Sequence, residues 1–276
     1  MNFQVTAFLL TILLLLPRHS AGQADFTNEF TWSEYPGIPP PPGADLQLGL
    51  ASPFAGKSGS VLIVAGGCNF PDIPVRDGGN KKYYDDAYVF AESGNGWQWK
   101  SGYKIPQATA YGASVSVPGG LLCIGGNGIS DAYREVFLLS WDEEKSGLEV
   151  EDWPPLPFPM SQMGAAMIGH TVYVAGGLAH GKEANSFLAL DLTEQGTEHF
   201  DWEVLEEFPG QARIQPVVVA QNSAEEKRLY LVSGKVVSLQ PDSKVEHVLV
   251  SCSGMGGDKI GDQVLFLTRL PGILLK

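Results

Sequence analysis

Val61-Leu-Ile-Val-Ala-Gly-Gly67 runs four apolar residues into one small residue and a pair of glycines. Such a run reads as a buried strand ending where the backbone needs positive φ or very close packing. The stretch recurs as Leu121-Leu-Cys-Ile-Gly-Gly126, Val172-Tyr-Val-Ala-Gly-Gly177 and, weakened, Leu229-Tyr-Leu-Val-Ser-Gly234. The first glycine of each full pair falls at Gly66, Gly125 and Gly176. Such even spacing is the period of a propeller or an array.

Each copy carries the same accessories in the same order. A run of small and apolar residues precedes the glycine pair: Ala110 to Val117, Met163 to Ile168 and Ile214 to Ala220. A polar loop follows it, then an aromatic or apolar strand at Tyr88-Val-Phe90, Val136-Phe-Leu-Leu139 or Phe187-Leu-Ala-Leu190. Each unit closes on a tryptophan (Trp97 or Trp99, Trp153, Trp202) and a proline exit at Ile105-Pro106, Leu156-Pro157 or Phe208-Pro209. Four short strands per unit make a propeller blade, and the order matches the kelch repeat. The expected fold is therefore an all-β, kelch-type β-propeller with about four blades present, three well marked and one degenerate. It would occupy residues 25–250, followed by a divergent tail at 251–276. A β-sandwich whose strands happen to end in Gly-Gly is the competing reading.

Val5 to Leu16 is an almost unbroken apolar run, too short to span a bilayer and suited to the h-region of a secretory signal. Ser20-Ala-Gly-Gln-Ala24 offers cleavage sites, although no Lys or Arg precedes the run. Residues 1–24 are thus expected to be a signal peptide and the protein exported, periplasmic or secreted. No later stretch has the length and apolarity of a membrane helix. Trp32-Ser-Glu-Tyr-Pro-Gly-Ile-Pro-Pro-Pro resembles the tryptophan and proline exit of the later units, and an orphan fourth strand there would suit ring closure. The formal net charge of −13 argues against nucleic acid and anionic membranes as partners. Cys68, Cys123 and Cys252 cannot all pair, and their spacing lacks the clusters of a structural zinc site, so neither a disulfide framework nor a metal is expected. Nothing in the pattern sets an oligomeric state, and no cofactor motif is present.

Ser52-Pro-Phe-Ala-Gly56, Ala65-Gly-Gly-Cys-Asn-Phe-Pro-Asp72, Lys81-Lys-Tyr-Tyr-Asp-Asp86 and Ala110-Tyr-Gly-Ala-Ser114 resemble the cyclically permuted mutarotase branch of the kelch proteins. They are similar to the N-acetylneuraminate (sialic acid) mutarotases from about Trp32 to about Gly234, most specifically in the Gly-Gly-x-Asn-Phe-Pro stretch. The resemblance implies an exported six-bladed propeller that interconverts the α and β anomers of sialic acid. At about 50 residues per blade, six blades need roughly 300 residues or more, and the span after residue 24 has room for four to five. The resemblance also implicates a glutamate and an arginine in a Gly-Glu-x-x-Pro-Gly-x-Arg-Thr stretch. No segment here matches it, so that pair is carried over to no position and the catalytic residues are unknown. A chain that has lost its last blades, or a divergent protein with a changed site, would account for this.

Mutarotation needs a base for the anomeric hydroxyl proton and an acid for the ring oxygen. A sugar carboxylate calls in addition for a cation, best a guanidinium. In a four-stranded meander the loops from strand 2 to 3 and from strand 4 to the next strand 1 share one face, where a ligand should sit. That face receives Asn69, Asp72, Arg76, Asn127, Arg134, His180 and Glu183, with Gln107, Gln162, Arg213 and Gln215 from the linkers.

Four of these are the candidate ligand-binding residues. Arg213, entering an inner strand, is the leading anion contact, against the alternative of a surface arginine capping a turn. Asn69 competes with a turn-shaping role, Arg134 with a surface ion pair to Asp131 or Glu135, and His180 with plain exposure. His170 falls in a turn on the opposite face. The four tryptophans belong first to blade packing, and Tyr83-Tyr84 offers a stacking surface.

Three functions stay open: a sialic acid mutarotase, inactive if a fragment; a non-catalytic kelch module binding carbohydrate or protein on its loop face; and a copper radical oxidase, disfavoured by five scattered histidines.

Overall fold

Two-residue turns with left-handed glycines, such as Gly59 and Gly119, fold each apolar run back on the next. A computed structural model describes residues 33–41, 43–94, 96–222, 227–236, 248–254 and 263–268, the last two segments as backbone. The chain divides into two units, Met1–Tyr35 and Pro36–Lys276, and every described strand lies in the second.

Four four-stranded antiparallel meanders follow one another along the chain. The first contains β1 (Phe54–Ser58), β2 (Val61–Ala65), β3 (Asp86–Ser93) and β4 (Gly96–Lys104). The second contains β5 (Ala113–Val117), β6 (Gly120–Ile124), β7 (Val136–Asp142) and β8 (Gly147–Trp153). The third contains β9 (Gly164–Ile168), β10 (Thr171–Ala175), β11 (Phe187–Asp191) and the short β12 (Glu203–Val204). The fourth contains β13 (Val217–Asn222), β14 (Lys227–Val232), β15 (Val248–Gly254) and β16 (Gln263–Thr268). These are consecutive blades of a kelch-type β-propeller, four in number among the described residues.

The core lies between blades. Phe54, Ile63 and Val89 of the first pack with Leu121, Phe137 and Leu139 of the second. Leu122, Ile124 and Leu156 meet Val172, Val174 and Leu188 at the next junction. Tyr173 and Ala189 meet Val218, Leu229 and Leu231 at the third. The second strand of each of the first three blades is buried on both faces, which is why its sequence is apolar without alternation. Inner edges are satisfied by side chains of the neighbour. Ser114 Oγ accepts from Ala55 N at 3.1 Å and donates to Ala55 O at 3.0 Å, and Ser116 Oγ accepts from Lys57 N at 2.8 Å.

The glycine pairs sit where one blade hands over to the next. Gly126 N donates to Met160 O at 2.8 Å and Gly177 N to Arg213 O at 2.8 Å. A Cβ on Gly125 would lie 2.6 Å from Met160 O, and one on Gly177 would lie 2.5 Å from Ser161 O. Space and positive φ exclude side chains together. The fourth copy replaces the first glycine by Ser233, which holds φ 60°, so the weakened motif keeps the backbone shape.

One expectation meets a different structure. The outer strands of the fourth blade, β15 and β16, come largely from residues the repeat pattern assigned to a tail, because only a register of backbone pairing marks them. In the proline-rich segment, Pro36 O accepts the Trp99 indole N–H at 2.7 Å, while the start of the orphan strand expected there, up to Trp32, lies outside the described residues. The outermost strand of the first blade is its own β4. Residues 1–24, Trp32 and the Cys252 side chain lie outside the described residues.

Tryptophans pack blades, as their register predicts. Phe90 lies between Trp97 (5.2 Å) and Trp99 (4.7 Å), Trp153 meets Phe200 edge-on, and Trp202 Nε1 donates to Pro154 O.

Candidate functional site on the loop face

One residue per blade, at the entry to the inner strand, adopts a left-handed backbone without being glycine: Ser52 (φ 50°), Tyr111 (61°), Gln162 (59°) and Gln215 (53°). Ser52, Tyr111 and Gln162 each precede the first glycine of their pair by the same interval. Left-handed backbone costs an L-residue roughly 1–2 kcal/mol. Here it aligns peptide groups from blade to blade: Tyr111 N donates to Ser52 O at 3.1 Å, Gln162 N to Tyr111 O at 2.6 Å, and Gln215 N to Gln162 O at 2.7 Å. This strained relay joins all four blades at the end that carries the strand 2 to 3 loops, the kind of place where strain and function coincide.

Beside Tyr111 the loop of the first blade closes a cluster. A short ladder pairs Cys68 with Tyr83 and Asn69 with Lys82, and this brings Lys81 to the next blade. Lys81 Nζ donates to Tyr111 Oη at 2.9 Å and lies 5.8 Å and 5.9 Å from the ring centroids of Phe70 and Tyr83, at the outer range of a cation–π contact. Its 4.8 Å approach to the Tyr111 centroid follows from the hydroxyl hydrogen bond. Asn127 Nδ2 donates to Tyr83 Oη at 3.1 Å, tying in the second blade.

The Tyr111 hydrogen bond holds the Lys81 ammonium above the usual lysine range, against the opposing pull of burial. At Tyr111 the same bond pulls the phenol down, but burial and neighbouring Cys68 outweigh it, so the group titrates above the usual tyrosine range. At neutral pH the pair is an ammonium and a neutral phenol.

The four candidate residues are distributed over different junctions, and no hydrogen bond or ion pair joins any two of them. Asn69 Nδ2 donates to Gly49 O at 3.0 Å while its Oδ1 accepts from Tyr84 Oη at 2.7 Å, so its amide braces the loop. Arg134 is exposed and makes no ion pair with Asp131 or Glu135; its backbone N–H donates to the Glu135 carboxylate at 3.0 Å. His180 is exposed at φ 50° with its ring 5.4 Å from that of Phe158. Arg213 is 2% exposed. Its Nη1 donates to Ser233 O at 2.8 Å and its Nε to Gln211 O at 3.3 Å, and burial lowers its pKa. It is a bracket at the junction of the third and fourth blades, not a surface arginine.

Lys81 and Tyr111 escaped the residue-by-residue reading. The constant offset of Ser52, Tyr111 and Gln162 from the glycine pair was the available signal. Lys81 opens the Lys81-Lys-Tyr-Tyr-Asp-Asp86 stretch that carries the resemblance, but only the fold brings it to Tyr111.

Residues 17–148 match the family model described as N-acetylneuraminate epimerase. This part of the chain is similar to the N-acetylneuraminate epimerases. The chain is 38% identical over 128 residues to the N-acetylneuraminate epimerase of Brucella melitensis biotype 1, covering 43% of this chain and 32% of that protein. It is 38% identical over 109 residues to the one from Salmonella enteritidis, covering 36% and 27%. The match thus spans about a third of the length of these curated relatives. A solved structure of YjhT shares the fold at TM-score 0.53 and 16% identity, covering 78% of this chain and 68% of that one. The epimerase-related part holds Asn69, Arg134 and the whole Lys81–Tyr111 cluster, whereas His180 and Arg213 lie beyond it. The family-model match ends at residue 148, short of the Gly234 end expected from the motifs.

Proposed function

We propose that this protein binds N-acetylneuraminate on its loop face and catalyses exchange between the α and β anomers. The observation that carries this reading is the epimerase match over residues 17–148, a stretch that includes the strand 2 to 3 loops of the first two blades. Anomer exchange requires a proton to leave the anomeric hydroxyl and another to reach the ring oxygen. The loop face supports the binding part of that task with hydroxyls, amides and a cation held in fixed positions. No residue is assigned as acid or base.

One-dimensional exchange NMR on N-acetylneuraminate tests this directly. The expected result is α-to-β exchange faster than in buffer alone. Exchange equal to the blank, with saturation transfer from protein to sugar retained, would replace the enzyme by a non-catalytic carbohydrate-binding module. Loss of both would remove the sugar.

We propose in addition that residues 1–24 direct export to the periplasm or medium, on the strength of the apolar Val5 to Leu16 run and the small residues after it. Among the described residues no helix is long and apolar enough to cross a membrane. Intact-mass measurement of the protein recovered from its native compartment tests this. A chain still carrying residues 1–24 would overturn it.

A further inference from the structure

Lys81 is held differently from Lys104 and Lys145, the lysines that make ion pairs among the described residues. Lys104 sits 2.6 Å from Asp85 and 2.9 Å from Asp86, and Lys145 sits 2.9 Å from Asp142 and 2.6 Å from Glu149. Among the described residues Lys82 and Lys100 also lack a carboxylate partner, lying instead 5.0 Å from the Tyr84 ring and 4.8 Å from the Trp141 ring. No carboxylate among the described residues lies within ion-pair distance of Lys81; its hydrogen-bond acceptor is the neutral Tyr111 hydroxyl, and Phe70 and Tyr83 flank it. The ammonium is half-buried and positioned, yet its charge is left without an opposing one.

The placement is also built from two blades. Lys81 and Tyr83 come from the strand 2 to 3 loop of the first, Tyr111 and Asn127 from the second, and Tyr111 belongs to the strained backbone relay. Holding a flexible lysine in this way costs side-chain entropy, and cation–π contacts at the far end of their range return little. Three N–H donors, one of them engaged, leave two for an incoming anion. The neighbouring rings of Phe70 and Tyr83 offer faces for the apolar side of a sugar ring.

We infer that Lys81, with Tyr111 as its positioning residue, is the subsite for the carboxylate of a small hydroxylated acid such as the proposed sugar. This rests on the sugar-binding reading of the loop face but assigns a specific anchor to it.

Isothermal titration of the full chain against N-acetylneuraminate, its uncharged methyl ester and glucuronate tests the assignment. Lys81→Gln should weaken both acids about 10-fold and leave the ester unchanged. Lys81→Arg should retain most of the affinity for the acids, and Tyr111→Phe should weaken them by a smaller factor. Unfolding midpoints matching the wild type would show that Lys81→Gln and Lys81→Arg are folded. Wild-type binding of N-acetylneuraminate that survives Lys81→Gln intact would overturn the subsite while sparing the proposed function. Glucuronate binding that is lost in Lys81→Gln, with no binding of N-acetylneuraminate by the wild type, would do the reverse. A wild type that binds neither acid would overturn both.

Discussion

Gln162 donates its backbone N–H to the Tyr111 carbonyl oxygen across 2.6 Å, and both residues hold left-handed backbones, at φ 59° and 61°. The relay runs on to Ser52 on one side and Gln215 on the other, so the blades are joined by peptide groups as well as by apolar side chains.

If strain is stored at Gln162, side-chain shape decides stability there. Gln162→Gly should hold or raise the unfolding free energy by about 0.5 kcal/mol, since glycine adopts this φ freely but loses more entropy on folding. Gln162→Val, with a β-branched side chain at positive φ, should lower it by about 1–2 kcal/mol. Urea unfolding of the two variants measures the difference, and equal stabilities would show that the relay carries no strain.

The glycine pair at the third blade should be far less tolerant than a glycine that merely turns. Gly177→Ala meets Ser161 O at 2.5 Å as well as φ 89°, and should cost about 2–4 kcal/mol. Gly181→Ala, at φ 75° with nothing within 4 Å, should cost about 1 kcal/mol. Thermal unfolding of both separates blade junction from local backbone.

Leu156 is fully buried between the second and third blades. Leu156→Ala should destabilise by about 2–5 kcal/mol through lost burial and the cavity left behind. A loss under about 1 kcal/mol in chemical denaturation would mean that the blades do not pack as a shared core.

Arg213 brackets Gln211 O and Ser233 O from a buried position, so its removal should act on stability. Arg213→Met should lower the unfolding free energy by about 1–3 kcal/mol by leaving carbonyls unpaired. If the fold is unchanged in stability and sugar affinity falls, the guanidinium serves the ligand.

Lys104 has its pKa raised above the ordinary lysine value of 10.5, first by its hydrogen bond to Asp85, with burial opposing and Asp86 adding to the rise. A raised folded-state pKa stabilises fully below the unfolded value, and the contribution fades as pH climbs through the folded one. Because the side chain is 53% exposed, solvent screening holds this to about 0.5 kcal/mol or less. Lys104→Met should therefore be slightly less stable than wild type at neutral pH, and the gap should close in strongly alkaline buffer, followed by denaturation at each pH.

Backbone demands were written locally and were therefore legible. Gly66-Gly67, Gly125-Gly126 and Gly176-Gly177 are required where a neighbouring carbonyl approaches, so the first three blades display their period openly, while the fourth keeps the backbone shape with Ser233. The apolar strands between them are short and doubly buried, which fixes fold class and strand order. Arg213 shows the limit: its position entering an inner strand is readable and Gln211 O lies two residues away, but its burial and its bond to Ser233 O depend on the next blade. The last two strands of the fourth blade carry no glycine pair and emerged from pairing alone. Lys81 is the fullest case of what tertiary structure decided. Its hydroxyl partner and its aromatic neighbours come from two blades, brought together by a backbone relay in which each peptide group bonds a partner a whole blade away in the chain.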